Sequence, residues 1–330
     1  MPLTDPILGH SPQRAALLDD LKTGNVAHAY LLSGPRHVGK FTIATWFATE
    51  LLSSDATSED DQKKVAHAVE HLIHPDLLVL DQLWIEDVCE DFDVIAKTSN
   101  VPQQHRKKAG ARTDTVGIED IRILHDRLQE TGTGRYRCAL IRSAERMQDE
   151  AVNAILKILE EPPPGVVFLL TTQALSSLLP TLRSRMRILH FHCLPARELQ
   201  PLLAGIEAED AQFLLHLALG APGIIRLLRE DPDRLRSEHS LAAKALSFWQ
   251  SRSLTERLNL LAPLHDRTPE AQQFLLHLAL SLRMLSSPPA ANAVEAFHQL
   301  LHRLETNASR QLLVQSFVLD LADAEAMPVS

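Results

Sequence analysis

An apolar run, His28-Ala29-Tyr30-Leu31-Leu32, leads through Gly34-Pro35-Arg36-His37-Val38-Gly39-Lys40 into a helical pattern that starts at Phe41. A strand that hands a glycine-bounded loop to a helix N-terminus is the setting in which a phosphate-binding loop works, because loop N–H groups and the helix dipole converge on one anion. The same arrangement dictates a fold: the helix must pack on the sheet, and repeated strand–helix pairs build parallel strands. Gly34, Gly39 and Lys40 are the candidate phosphate-binding residues, Lys40 adding a point charge. The eighth place of the pattern G-x-x-x-x-G-K-[ST] holds Phe41 instead of the hydroxyl that ligates nucleotide-bound Mg²⁺. Thr42 is no replacement, since one residue along a helix turns the side chain by about 100°. A loop that keeps its shape for folding alone is the competing reading.

The strand that should carry the metal's acidic partner departs from the pattern as well. Tyr136-Arg137-Cys138-Ala139-Leu140-Ile141 follows a Thr-Gly-Thr-Gly turn and is apolar enough for a central parallel strand. In a working ATPase two carboxylates would follow, one for the metal and one to polarise the attacking water. Here Arg142 and Ser143 follow. A guanidinium repels Mg²⁺ and a neutral hydroxyl is a poor base, and general-base assistance alone is worth about 10²–10⁴-fold. Phe41, Arg142 and Ser143 are therefore degenerate metal and water positions, and hydrolysis is expected to be negligible.

Strands are expected near 29–32, 77–80, 138–141, 166–171 and 188–191, alternating with helices near 118–129 and 150–159. That alternation implies a parallel α/β sheet. Beyond Leu194-Pro195 only helices are suggested, at 196–203, 211–219 and 223–228. From about 237 the pattern is wholly helical, with leucine-rich faces such as Phe274, Leu275, Leu278 and Leu282. The boundaries drawn are 1–194, 195–235 and 236–330.

The formal net charge of -9 is local in origin. Between Glu50 and Ile95 there are 13 Asp and Glu against 2 Lys, and 55–61 reads as a solvated acidic loop. The basic stretch 103–112 reads either as another solvated loop or as a contact for DNA phosphates through Arg106, Lys107, Lys108 and Arg112. Hydrophobic residues at 45% with a mean hydropathy of -0.07, and no apolar run near the roughly 18 residues of a membrane span, lead to an expectation of a cytoplasmic protein with no membrane partner. Cys89, Cys138 and Cys193 are isolated, with no C-x-x-C pair, which argues against a structural zinc site.

Several stretches in fixed order resemble the AAA+ clamp-loader family of bacterial replication: 28–40 (HAYLLSGPRHVGK), His74-Pro75-Asp76, 139–147 (ALIRSAERM), 153–164 (NAILKILEEPPP), 168–173 (FLLTTQ) and 179–185 (LPTLRSR). The resemblance implies an α/β AAA+ P-loop domain with a parallel sheet, then a small helical lid, then an all-α C-terminal collar through which subunits form a pentameric ring. It also implies that Arg185 of Ser184-Arg185-Met186 is an arginine finger, presented in trans to ATP bound by a neighbouring subunit. The family has Cys where Met186 stands, and a turn arginine paired with a local carboxylate is the alternative. Thr172 or Gln173 matches the family's polar sensor, or else satisfies loop backbone at a strand end. Gly223 stands where ATP-hydrolysing relatives carry a nucleotide-contacting arginine, and Arg226 would be a weak substitute. The helix 118–129 lies where active loader subunits grip the sliding clamp; Leu124 and Leu128 either serve that contact or face the sheet.

The implied role is a stator that does no chemistry itself and requires no cofactor, although ATP, ADP or phosphate could be held without hydrolysis. Implied partners are ATPase subunits of the gamma/tau kind, a delta subunit, primer-template DNA through the complex, and the sliding clamp indirectly. An ATP-hydrolysing motor subunit of the same family is the alternative, and a nucleotide-sensing scaffold outside replication is a third reading.

Overall fold

Five strands, β1 (Ala29–Ser33), β2 (Leu77–Leu80), β3 (Arg137–Ile141), β4 (Val166–Thr172) and β5 (Arg187–His190), pair in parallel in the order β2-β3-β4-β1-β5. This is a computed structural model, and it describes residues 7–80, 115–130, 132–283, 285 and 291–326. The basic stretch 103–112 and the acidic residues between 81 and 95 lie outside them. The chain forms two compact units, Met1–Glu207 with Ala218–Ile224, and Ala208–Leu217 with Ile225–Ser330.

In the first unit strands β1 to β4 are buried on both faces, successive side chains of a strand pointing to opposite sides, while β5 at the sheet edge is partly exposed. Tyr30, Leu32, Leu77, Val79, Cys138, Leu140, Val167 and Leu169 pack with side chains of α1 (Ser11–Thr23), α2 (Lys40–Leu52) and α3 (Glu59–Glu70). Ala29, Leu31, Leu78, Leu80, Ala139, Ile141, Phe168 and Leu170 pack with α4 (Ile118–Gln129) and α5 (Asp149–Glu160). Leu124 and Leu128 of α4 are buried in that second layer, so they face the sheet and are not free to grip a clamp.

The acidic stretch 55–61 is not a loop throughout. The Ser58 side chain accepts from the Asp61 N–H at 3.2 Å and starts α3, with Glu59, Asp60 and Asp61 in the first turn, where the helix dipole favours anions. The Asp55 carboxylate accepts from the Arg135 N–H at 2.6 Å, tying this segment to the turn before β3.

A buried ion pair fixes α4 to the sheet. Arg137 Nε lies 3.3 Å from Asp76 Oδ1, with side chains 8% and 3% exposed. Asp76 Oδ2 also accepts from the Thr133 N–H at 2.9 Å and from the Thr133 hydroxyl. The rest of the guanidinium donates to the carbonyls of Arg127, Leu128 and Glu130, at 2.9, 3.0 and 2.6 Å. These are the orphan carbonyls of a helix C-terminus, where a cation is best placed.

The second unit is helical. Phe248, Trp249, Phe297 and Phe317 form its aromatic centre, with ring centroids 5.0 to 6.4 Å apart. Glu238, buried in the helix Pro232–Gln250, accepts from His277 at 2.6 Å and from Gln273 at 2.9 Å. Burial pushes the Glu238 carboxyl up, but the His277 and Gln273 hydrogen bonds more than reverse this and leave it below the usual carboxylate range.

Replacing Arg137 with Met leaves the buried Asp76 without its cation and takes one donor away from the carbonyls of Arg127, Leu128 and Glu130. The expected cost is about 3–5 kcal/mol in urea unfolding, against well under half of that for an exposed Arg→Met control such as Arg236. The Glu238 carboxyl titrates lower folded than unfolded, near 4.3 in the unfolded chain. Its contribution is therefore present above that value and is lost as pH falls through the folded value. Glu238→Gln should be less stable than wild type at neutral pH, and the difference should narrow below about pH 4 when melting temperatures are followed across an acid series.

Candidate functional site

The loop 34–39 leaves the C-terminal end of β1 and enters α2 at Lys40. Gly34 donates its N–H to the Thr172 carbonyl at 3.1 Å, and a Cβ there would lie 2.3 Å from the Phe191 carbonyl oxygen, so only glycine fits between β4 and the chain after β5. Gly39, the residue before α2, has φ 101°, a left-handed conformation that glycine adopts without strain. Lys40 turns back onto its own loop, Nζ donating to the carbonyls of Gly34 at 2.6 Å and Pro35 at 2.5 Å. Its side chain is buried, and burial lowers its pKa to about 8; Arg142 and Arg36 also lower it, while Glu145 opposes them. Three cations therefore surround the loop, with Glu145 as the counter-charge.

The degenerate positions meet in space. The Arg142 guanidinium lies over the Phe41 ring, 4.5 Å from its centroid. Such a contact is worth about 0.5–1 kcal/mol exposed and about 2 when desolvated. Phe41 and Arg142 thus contact each other, a cation against the face of an aromatic ring. Ser143 is buried with φ 58° and donates its N–H to Thr171 Oγ1 at 3.1 Å.

Thr172 Oγ1 accepts from the Ala174 N–H at 3.2 Å, which is the loop-satisfying reading of that position. The N–H of its neighbour Gln173 donates to Glu145 Oε1 at 3.3 Å. Glu145 was not singled out from sequence, because carboxylates were sought directly after β3. Gly223 donates its N–H to the His37 carbonyl of the phosphate loop at 2.9 Å, and a Cβ at 223 would lie 2.9 Å from that same oxygen. A side chain at 223 would therefore crowd the backbone of the loop at His37.

Arg185 stands apart from this group. It precedes β5, whose first residue pairs with Tyr30, whereas the loop leaves the other end of β1 after Ser33. In a parallel sheet the two edges are a strand's length apart, here about 13 Å. On the turn after α6 (Pro180–Arg183), the Arg185 guanidinium donates to Glu160 Oε1 at 2.7 Å and to the Thr181 carbonyl at 2.9 Å. Both open readings keep support: the arginine does pair with a local carboxylate, and it points away from its own phosphate loop's edge. Among the described residues no helix is long and apolar enough to cross a membrane.

Comparison with known proteins bears on this geometry. The profile of the family described as DNA polymerase III, delta subunit, matches residues 9–195. The DNA polymerase III subunit gamma/tau of Mycobacterium tuberculosis is 28% identical over 221 residues, which cover 65% of this chain and 34% of that protein. The tau/gamma subunit of Haemophilus influenzae is 28% identical over 322 residues, covering 94% of this chain and 41% of that protein. The delta' subunit of Pseudomonas aeruginosa is 31% identical over 162 residues, covering 48% of this chain and 41% of that protein. The chain spans about a third of the length of the first curated relatives it matches. With more than half of its residues matched by that profile, the chain belongs to the DNA polymerase III delta-subunit family of bacterial clamp-loader proteins.

Proposed function

We propose that this chain is a non-hydrolysing, delta-prime-type subunit of a DNA polymerase III clamp loader, and that it lends Arg185 to ATP bound by a neighbouring gamma/tau-type subunit. The observation that carries the reading is the Phe41–Arg142 contact, which puts a guanidinium and an aromatic ring in the two places where an ATPase holds Mg²⁺. The chain needs no cofactor of its own, and any ATP, ADP or phosphate held at Lys40 stays uncleaved. Support for action in trans comes from the position of Arg185 at the opposite edge of the sheet from its own loop. The delta subunit, primer-template DNA and the sliding clamp are partners through the assembled complex.

A second reading, a gamma/tau-like motor, is favoured by the longer match to the Haemophilus influenzae protein and is opposed by Phe41, Arg142 and Gly223. The two separate in one assay. The isolated chain with Mg²⁺ and ATP should give no turnover above a Lys40→Ala control, and turnover that Lys40→Ala abolishes would establish the motor.

The finger is tested in the reconstituted loader. Arginine fingers supplied in trans are worth about 10³–10⁵ in rate, so Arg185→Ala should silence the one ATPase site it faces and lower DNA-stimulated hydrolysis, with assembly intact by gel filtration. Unchanged hydrolysis in an intact complex would reduce Arg185 to a turn residue held by Glu160.

A further inference from the structure

A group of three metal-ligating side chains lies outside the phosphate loop, at the C-terminal end of α3. His67, Glu70 and His71 each offer one donor atom, and these atoms lie within 4.8 Å of one another. Their spacing, i, i+3 and i+4, puts them on one face of the last turn.

Two further observations point to a ligand there. His71 Nδ1 lies 2.8 Å from the His67 carbonyl oxygen. A carbonyl can only accept, so Nδ1 carries the proton and Nε2 is left with its lone pair. A backbone hydrogen bond of this kind is what fixes the tautomer of a metal-binding imidazole. Glu70 Oε1 is buried with no hydrogen-bond partner, a costly state for a carboxylate oxygen. The electrostatics agree, since a cation is favoured at a helix C-terminus and the surrounding stretch is strongly acidic.

We infer that His67, Glu70 and His71 form a binding site for one divalent transition-metal ion of the zinc class, which ties the last turn of α3 to the residue that caps it. Two imidazoles and one carboxylate suit Zn²⁺, Ni²⁺ or Cu²⁺ and do not suit Mg²⁺ or Ca²⁺, which take oxygen ligands. With bonds of about 2.0–2.1 Å to nitrogen, tetrahedral donors sit about 3.3 Å apart, so small rotations of the two exposed histidines close the set around the half-buried Glu70. Three protein ligands leave the remaining place to water. The expectation of no zinc site rested on cysteines alone and did not weigh this histidine pair. The inference does not depend on the role of the phosphate loop or of Arg185.

The test uses the untagged full chain, stripped with EDTA, desalted, and titrated with Zn²⁺ by calorimetry. One saturable Zn²⁺ per chain is expected, with Mg²⁺ giving none. Losing even an outer partner of a metal ligand costs about 10–100-fold in affinity, so the double variant His67→Ala/His71→Ala should lose at least tenfold, and Glu70→Gln should fall between it and wild type. Because the chain has 16 histidines, the decisive reading is the difference between wild type and the double variant. Zn²⁺ should also raise the melting temperature of wild type and not of the double variant. Both histidines are exposed, so the melts in EDTA should coincide and exclude misfolding. No saturable binding to wild type, or an unchanged affinity in the double variant, overturns the site.

Discussion

Burial of the central strands on both faces is the constraint from which the other features follow. Strands β1 and β4 have no solvent side, so their side chains must be apolar in continuous runs, and polar groups are confined to the strand ends. Order within the sheet then puts the phosphate loop at the end of β1, between the ends of β4 and β5, where the Thr172 and Phe191 backbones hold Gly34. The loop is thus positioned by backbone contacts that need no nucleotide. The shape of the loop therefore does not depend on what residues 41, 142 and 143 can ligate.

The charge around the loop is balanced locally. Arg36, Lys40 and Arg142 bring positive charge to one loop, and left uncompensated this would cost stability. Glu145 supplies a carboxylate to the same surroundings, Lys40 shares its protons with two loop carbonyls, and the face of Phe41 receives the Arg142 guanidinium. Each device draws on groups of the chain itself. The contact of Gly223 with His37 belongs to the same pattern: it occupies a loop carbonyl with a helix-start N–H and leaves no space for a side chain that would read nucleotide.

Much of this was legible in the sequence, and the misses have physical reasons. All five strands are legible in the sequence, β1 to β4 as the near-continuous apolar runs of buried parallel strands, and α4 is legible to the residue because its pattern is strongly amphipathic. The substitutions at Phe41, Arg142 and Gly223 were visible, but their contacts were not, since sequence reports what has been replaced and not what the replacement touches. The stretch 55–61 was misread because a run of acids was taken as solvated loop, whereas Ser58 and three carboxylates together form a helix start. The fork between clamp contact and core at Leu124 and Leu128 needed three dimensions to resolve. His67, Glu70 and His71 were passed over because zinc was sought through cysteine spacing.

In the proposed role, Arg185 must leave Glu160 to reach a neighbour's nucleotide, and the magnitudes allow it. The pair is partly exposed, with Arg185 33% and Glu160 52% accessible, and exposed ion pairs are worth about 0–1 kcal/mol. An acceleration of about 10³–10⁵ corresponds to about 4–7 kcal/mol of transition-state stabilisation. A contact of the first size cannot withhold the arginine from an interaction of the second. It can only restrict the rotamers of an otherwise mobile side chain, so that less conformational entropy is lost when a phosphate replaces the carboxylate. In the proposed role the pairing of Arg185 with Glu160 therefore opposes action in trans only weakly.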